Sequence, residues 1–148
     1  MINKFDNEYA FLSNFYEHEF EYLGLVFSTA EHAYQAVKAK NPYDMLWVKE
    51  SKTPGVAKRR GRKVELKPNW DQDRIGVMLL IVNAKFKDAK LKNKLILTNQ
   101  QKLVEGNYWH DQFWGNCMCP THEDTASSNY LGKILMYVRK NHQQLPIG

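Results

Sequence analysis

The stretch Ser28-Thr-Ala-Glu-His-Ala-Tyr-Gln-Ala-Val-Lys38 decides how the first half of this chain folds, because it predicts a helix with polar groups on one side. Ser28 followed by Glu31 is a capping-box pattern, so we expect the helix to begin at Ser28. At 3.6 residues per turn, Glu31, Gln35 and Lys38 lie on one stripe. A carboxylate and an amine on one rigid helix suit acid–base or carbonyl–amine chemistry. The same stripe also fits a capping carboxylate and a solvated lysine, and the spacing leaves both interpretations open.

The composition is that of an ordinary globular protein. The chain has 148 residues, of which 43% are hydrophobic, 25% charged and 13% aromatic. No apolar run approaches the ~20 residues that span a membrane, and the N-terminus lacks the apolar core of a signal peptide. Cys117 and Cys119 provide no disulfide framework. We therefore expect one cytoplasmic domain over residues 1–148.

Positive charge is concentrated in one short run. The net charge is +5, and Lys58-Arg-Arg-Gly-Arg-Lys63 places five positive charges in six residues. Such a run can meet the phosphates of nucleic acid or of a nucleotide ligand. It can equally be a solvated helix end, where cations complement the helix dipole.

The periodicity predicts a helix-rich α+β domain with a small antiparallel sheet. Aromatic residues around Gly24 indicate a hairpin near the start, and Asn41-Pro42 is expected to end the first helix. A short strand is predicted over 102–105, and the segment 106–127 is expected to be irregular. Further helices are predicted over 44–52, 53–61, 71–86, 88–97 and 128–139.

One metal-ligand pattern is present among the motifs that carry chemistry. The glycine-rich phosphate loops, Gly-x-Ser-x-Gly and His-Glu-x-x-His are all absent from the sequence. Cys117-x-Cys119-x-x-His122 offers three ligands, and His110 is the local addition that would complete four. One residue between cysteines is less typical of zinc than two to four, so we favour free thiols and expect no metal or cofactor.

Three carboxylates are candidates for acid–base work: Glu31, Glu105 and Asp111. Aromatic neighbours around Asp111 could desolvate its carboxylate and raise its pKa, which would suit a general acid. Left ionised, the same group could stabilise a sugar cation. The structural alternatives are a helix cap for Glu31, a strand end for Glu105 and a loop turn for Asp111.

An ordered series of short motifs between residues 11 and 139 resembles the NADAR family, also called YbiA-like. Each motif is weak alone, whereas the order and spacing together are specific. The motifs are Phe11-Leu-Ser-Asn14-Phe15, Gly24, Phe27-Ser28 with Glu31, Gln35 and Lys38-Ala39, Pro54-Gly-x-Ala57-Lys58, Trp70 with Arg74 and Met78, Lys85-Phe86, Leu103-Val-Glu105, Asp111-x-x-Trp114-Gly115, and Asn129-x-Leu131-Gly132 with Leu135-Met136 and Arg139.

The resemblance implies an N-glycosidase that cuts the bond between ribose C1′ and a nitrogen. The implied substrates are phosphorylated ribosylaminopyrimidines of riboflavin synthesis or ADP-ribose attached to guanine in nucleic acid, with nucleic-acid contact through residues 58–63. Lys38 would form a Schiff base with the opened sugar and Glu31 would move protons. In the closed-ring alternative, Glu31 or Asp111 activates water and Lys38 binds phosphate. The implied substrate-binding residues are Asn14, Phe15, Gln35, Trp70, Trp114, Gly115, Asn129 and Arg139.

The loop 116–128 departs from the family pattern, because it contains no glycine where glycine is common. This departure puts the substrate in doubt. A second class of function is a non-catalytic module that binds ADP-ribose or nucleic acid through the same aromatic and basic residues.

Overall fold

A computed structural model describes residues 1–123 and 125–143 of the chain. The chain forms two compact units: a central unit, Asn14–Lys87, and a terminal unit made of Met1–Ser13 and Asp88–Gly148. The described helices are α1 (Ala30–Val37), α2 (Pro42–Lys49), α3 (Pro54–Gly61), α4 (Trp70–Lys85), α5 (Ala89–Ile96), α6 (Tyr130–Gln143) and the 3-10 helices Asn7–Leu12 and Pro120–His122. The described strands are β1 (Phe20–Tyr22), β2 (Leu25–Phe27), β3 (Gly106–Asn107) and β4 (Asn116–Cys117). Helices dominate and β1 and β2 form a small antiparallel sheet, so the expected fold class is confirmed.

In the central unit, a hairpin and three further helices surround α1. The strands β1 and β2 pair with Phe20 opposite Phe27, and their rings stand 6.3 Å apart. Helix α1 packs against α2, α3 and α4, and all eight of its residues are buried. An eight-residue helix is marginal in water, so this burial, rather than intrinsic propensity, holds α1.

The start of α1 differs from the expectation by one residue. Thr29, not Ser28, is the N-cap, and its Oγ1 accepts a hydrogen bond from the backbone N of His32 at 3.0 Å. The capping-box assignment is therefore wrong, and Glu31 is the second residue of α1, in its first turn. Thr29 Oγ1 also lies 2.7 Å from His32 Nδ1, while His32 Nε2 lies 2.9 Å from the Ser51 carbonyl oxygen. This long-range network selects Thr29 over the neighbouring hydroxyl.

The end of α1 also differs from the expectation. Asn41-Pro42 does not end α1 but begins α2, with Asn41 Oδ1 accepting from the Tyr43 backbone N at 2.7 Å. Helix α1 stops earlier, at Val37, because the next residues pair with a later segment. The carbonyl of Lys38 accepts from Lys67 N at 2.9 Å. The predicted cap of α3 is confirmed: Thr53 Oγ1 accepts from the Val56 backbone N at 3.1 Å.

The terminal unit joins the N-terminus to the later half of the chain. The predicted strand over 102–105 is reduced to one parallel bridge, in which Ile2 N donates to the Lys102 carbonyl and Val104 N to the Ile2 carbonyl. The segment expected to be irregular contains the parallel pair β3 and β4 and a 3-10 helix. Helix α6 packs against α5 and runs four residues past the predicted end at 139. In the described ranges, every helix is too short or too polar to traverse a lipid bilayer.

Candidate active site

The predicted polar stripe exists on α1, and two of its members are joined. Glu31 and Gln35 are both buried, and Gln35 Nε2 donates to Glu31 Oε1 at 2.9 Å. Lys38 follows as the C-cap residue of the helix and is half-buried. The backbone N of Glu31 donates to the Asn14 carbonyl at 3.0 Å, which holds the predicted first loop against the first turn. A carboxylate and an amine therefore stand on one short, packed helix.

Gly61 at the end of α3 fixes the Gln35 amide in place. A Cβ on Gly61 would clash with Gln35 Oε1 and lie 2.8 Å from Gln35 Cδ. Only glycine leaves room for this approach of the two helices. Gln35 Oε1 is buried and has no hydrogen-bond partner among residues 1–123 and 125–143. A buried, unsatisfied carbonyl is costly, and such groups concentrate where function requires them.

Burial, and not the surrounding charges, favours the neutral amine of Lys38. Burial lowers the pKa of Lys38, Glu31 raises it, and Arg62 lowers it again. Arg62 is the exposed C-cap residue of α3. A lysine with a lowered pKa has a larger neutral, nucleophilic fraction at neutral pH. The site thus contains a buried acid beside an amine that burial makes easier to deprotonate.

The other predicted site residues of the central unit, Asn14, Phe15 and Trp70, differ in how far they are buried. Asn14 is half-buried, and its Nδ2 contacts Met78 Sδ at 3.6 Å. Phe15 exposes 43% of its surface, so its ring is accessible to a ligand. Trp70 is buried, with its ring centroid 5.4 Å from that of Tyr34. This contact gives Trp70 a packing role in the central unit.

Asp111, in the terminal unit, organises a turn. Its Oδ1 accepts from the backbone N of Phe113 at 3.0 Å and of Trp114 at 2.9 Å. The Asn107 side chain clamps the backbone of Asp111, donating to its carbonyl at 2.9 Å and accepting from its N at 3.1 Å. The loop-turn alternative therefore has direct structural support, while a catalytic role stays a prediction.

Trp114 and Gly115 follow in the same loop. Trp114 is half-buried and meets Phe113 edge-on, with ring centroids 4.8 Å apart. Gly115 lies against Glu105: a Cβ there would be 2.8 Å from Glu105 Cδ. This close approach explains why glycine follows tryptophan in the motif.

Asn129 and Arg139 both have internal partners in the terminal unit. Asn129 Nδ2 donates to the Leu103 carbonyl at 3.0 Å, and its Oδ1 accepts from Glu105 N at 3.0 Å. Arg139 is buried, and its Nη1 donates to Thr98 Oγ1 at 2.9 Å. Burial lowers the pKa of Arg139. These contacts favour structural roles, and the predicted phosphate contact of Arg139 stays untested.

The four residues of the metal-ligand pattern come together in the same unit. The ligand atoms of His110, Cys117, Cys119 and His122 all lie within 4.8 Å of one another. His110, which the sequence offered as the local addition that completes four ligands, lies with the other three.

Comparison with known proteins decides the family. The model of the NADAR domain matches residues 2–142. The chain belongs to the NADAR family. The resemblance carried by the motifs is thereby confirmed.

Relatives of this NADAR protein carry two kinds of name. An N-glycosidase of Nostoc punctiforme is 33% identical over 143 residues, covering 93% of this chain and 88% of the relative. N-glycosidase YbiA of Escherichia coli is 31% identical over 137 residues, covering 90% and 82%. The NMR structure of E. coli YbiA matches with a TM-score of 0.79 and 29% identity, over 95% of this chain and 86% of that one. A riboflavin biosynthesis protein of Vibrio vulnificus is 31% identical over 142 residues, and this chain spans 37% of its length.

Two cations of this NADAR chain have effects that the sequence did not predict: Arg62, which stood only in the basic run, and Lys85, which stood only in a family motif. Arg62, at the end of α3, lowers the pKa of Lys38 electrostatically, and no local pattern signals such an interaction. Lys85 is fully buried at the end of α4, 5.8 Å from the Tyr16 ring centroid, and burial lowers its pKa to about 7. Lys85 was detectable, because it lies at i+7 and i+3 from the apolar Met78 and Val82 on the buried stripe.

The basic run of the NADAR chain forms the last turn of α3 and the residues after it. Arg59, Arg62 and Lys63 are exposed. Arg60 instead lies over Trp47 of α2, with its Cζ 4.9 Å from the ring centroid and its Nη1 donating to the Trp47 carbonyl at 2.7 Å. Three of the five charges are therefore free to meet solvent or a phosphate.

Proposed function

We propose that this NADAR protein is an N-glycosidase that hydrolyses the C1′–N bond of a ribosylated amine, with Lys38 as nucleophile and Glu31 as proton carrier. The observation that carries the proposal is the α1 stripe: a buried Glu31 bonded to Gln35, and one turn further Lys38, whose pKa is lowered by burial. The N-glycosidase names of the Nostoc and Escherichia relatives support the reaction class.

The chemistry suits a substrate whose leaving nitrogen lies outside the base ring. Such a glycosylamine opens when its ring oxygen takes a proton, and an imine forms between C1′ and the nitrogen. The neutral Lys38 amine adds to C1′, and Glu31 protonates the departing nitrogen, which leaves as a free amine. Water then adds to the Lys38 imine, releasing the sugar aldehyde and restoring the lysine. The net reaction consumes one water and yields ribose derivative and amine.

Two substrate classes fit this chemistry. The name of the Vibrio relative favours a phosphorylated ribosylaminopyrimidine of riboflavin synthesis. The exposed Arg59, Arg62 and Lys63 favour ADP-ribosylated guanine in nucleic acid, since several exposed cations close together in the chain suit a polyanion. A side-by-side product assay on both substrates decides between them. Loss of activity with salt on the polymer, but not on a mononucleotide, would support the nucleic-acid substrate.

Borohydride reduction separates the Schiff-base route from the closed-ring route. Treating enzyme and substrate during turnover should add the mass of the reduced sugar to Lys38, located by peptide mass spectrometry. Lys38→Met should abolish the adduct, while Lys40→Met, on an exposed neighbour, should keep it. Turnover without any adduct would overturn the Schiff-base route and leave the closed-ring one.

Glu31→Gln tests the proton carrier. Because Thr29 rather than Glu31 caps α1, the variant should fold like the wild type and lose turnover. Glu50→Gln, on an exposed acid at the end of α2, is the matched control and should keep turnover. Retained turnover in Glu31→Gln would give Glu31 a structural role. A wild type that binds ADP-ribosylated ligand without releasing product would instead be a binding module.

A further inference from the structure

Four side chains of the terminal unit are arranged around a common point. Cys119 Sγ lies 3.1 Å from His122 Nδ1 and 3.4 Å from His110 Nδ1. Cys117 Sγ lies 3.7 Å from His110 Nδ1, and the two Nδ1 atoms are 3.4 Å apart. Both cysteines are free and buried.

These separations match the edges of a zinc tetrahedron. Zinc binds thiolate sulfur at about 2.3 Å and imidazole nitrogen at about 2.0–2.1 Å, so tetrahedral ligand atoms stand about 3.3–3.8 Å apart. Of the six pairs of ligand atoms, three are separated by distances inside this range, the pair Cys119–His122 is 0.2 Å below it, and the remaining two are at most 4.8 Å apart. Two thiols and two imidazoles are also a ligand set typical of structural zinc.

Local backbone structure explains why one intervening residue suffices between the cysteines. Cys117 ends β4 and Cys119 has extended dihedrals, φ −71 and ψ 157. Residues two apart in an extended chain point to the same side, so both thiols face one point. The following 3-10 helix, Pro120–His122, turns His122 back, with its N donating to the Cys119 carbonyl at 3.0 Å.

His110 is brought to the same point by an unusual backbone. Its φ of 69 lies in the left-handed region, which a residue with a Cβ adopts at a cost. Gln112 supports the facing strand, because its Oε1 accepts from the Cys117 backbone N at 2.6 Å. Metal bonds would offset the strain at His110 and hold the loop 106–127 around the ion.

We propose that His110, Cys117, Cys119 and His122 bind one zinc ion in a closed structural site. Four protein ligands leave no open position, so the ion would hold the loop and take no part in hydrolysis. This geometry replaces the free-thiol interpretation, which rested only on the spacing of the two cysteines. The proposal is independent of the proposed glycosidase activity.

Metal analysis of the full chain tests the site. Protein purified without a metal-affinity column and without added metal should contain one zinc per chain by mass spectrometry of the elements. Mutating a residue that only hydrogen-bonds to a metal ligand lowers metal affinity about 10–100-fold, so Cys119→Ala, which removes a ligand, should lower zinc affinity at least as much. Cys119→His restores a ligand and should retain zinc. Thr121→Ala, an exposed residue in the same loop without a ligand atom, is the matched control.

Cobalt substitution keeps the test decisive if the alanine variant fails to fold. Adding Co²⁺ to the chelator-treated wild type under reducing conditions should produce the thiolate charge-transfer band and the visible bands of tetrahedral cobalt. One equivalent of Zn²⁺ should abolish them. A wild type that contains no zinc and develops no thiolate band with Co²⁺ would overturn the proposal. Equal zinc in the wild type and in a folded Cys119→Ala variant would overturn it as well.

Discussion

Gly61→Ala should damage the site through one added methyl group. The new Cβ would clash with Gln35 Oε1 and lie 2.8 Å from Cδ and 3.1 Å from Cβ of the same side chain. The Gln35 amide must then rotate away, which breaks its 2.9 Å bond to Glu31, or the two helices must separate.

The loss of stability can be estimated from these two responses, the broken hydrogen bond and the overpacked helix interface. A lost hydrogen bond to a charged group costs about 1.5–3 kcal/mol, and overpacking a core costs about 1–3 kcal/mol. Alanine returns up to about 1 kcal/mol in helix propensity. We therefore expect Gly61→Ala to lower the free energy of unfolding by about 1–2 kcal/mol. Turnover should fall as well, because Glu31 loses the partner that orients it.

Urea unfolding of a double-mutant cycle with Gln35→Ala measures this coupling. The shorter side chain removes the clashing Oε1 and Cδ, so Gly61→Ala should cost at least about 1 kcal/mol less in that background. Gly55→Ala in the same helix is the control, because its Cβ would meet only Thr53 Oγ1 at 3.8 Å. An equal cost of Gly61→Ala in both backgrounds, or a gain of stability in the wild type, would refute the reasoning.

Three further predictions concern charge and capping. Arg62→Gln should raise the pKa of Lys38 and move the acid limb of the pH–rate profile to higher pH, while the exposed Arg59→Gln should leave the limb in place. Lys85 has a folded pKa of about 7 against 10.5 for the ordinary side chain, so the unfolded state binds more protons between these values. The unfolding free energy of the wild type should rise there by up to about 1.4 kcal/mol per pH unit relative to Lys85→Met, as urea unfolding at pH 7 and 9 would measure; parallel pH profiles would contradict this. Thr29→Ala should cost about 1 kcal/mol and Thr29→Ser less; an unchanged thermal midpoint in the alanine variant would exclude the cap.

Patterns that depend on neighbours in sequence were predictable. The α1 stripe and the Thr53 cap of α3 both follow from spacing, since their hydrogen bonds join residues four and three positions apart. The cap of α1 was missed because two hydroxyl residues stand side by side. The choice between them depends on His32, which bonds Thr29 and the carbonyl of Ser51.

Contacts between separate segments were not predictable. Gly61 packs against Gln35, 26 positions away, and Arg62 acts electrostatically on Lys38, 24 positions away, so no periodicity reports either interaction. The internal partners of Asn129 and Arg139 are similarly remote. The segment predicted as a strand at 102–105 forms only a single bridge, because its partner segment at the N-terminus supplies one paired residue, Ile2.

The position of Glu31 and Lys38 on one helix limits how the chain can vary in length. Each residue of an α-helix adds about 1.5 Å of rise and about 100° of rotation. One residue of any type inserted between Glu31 and Lys38 would therefore rotate the lysine away from the face of the helix that carries Glu31. One residue deleted would swing it the other way. Substitutions between Glu31 and Lys38 can alter packing, but the number of residues between them must stay at six to keep both side chains on one face.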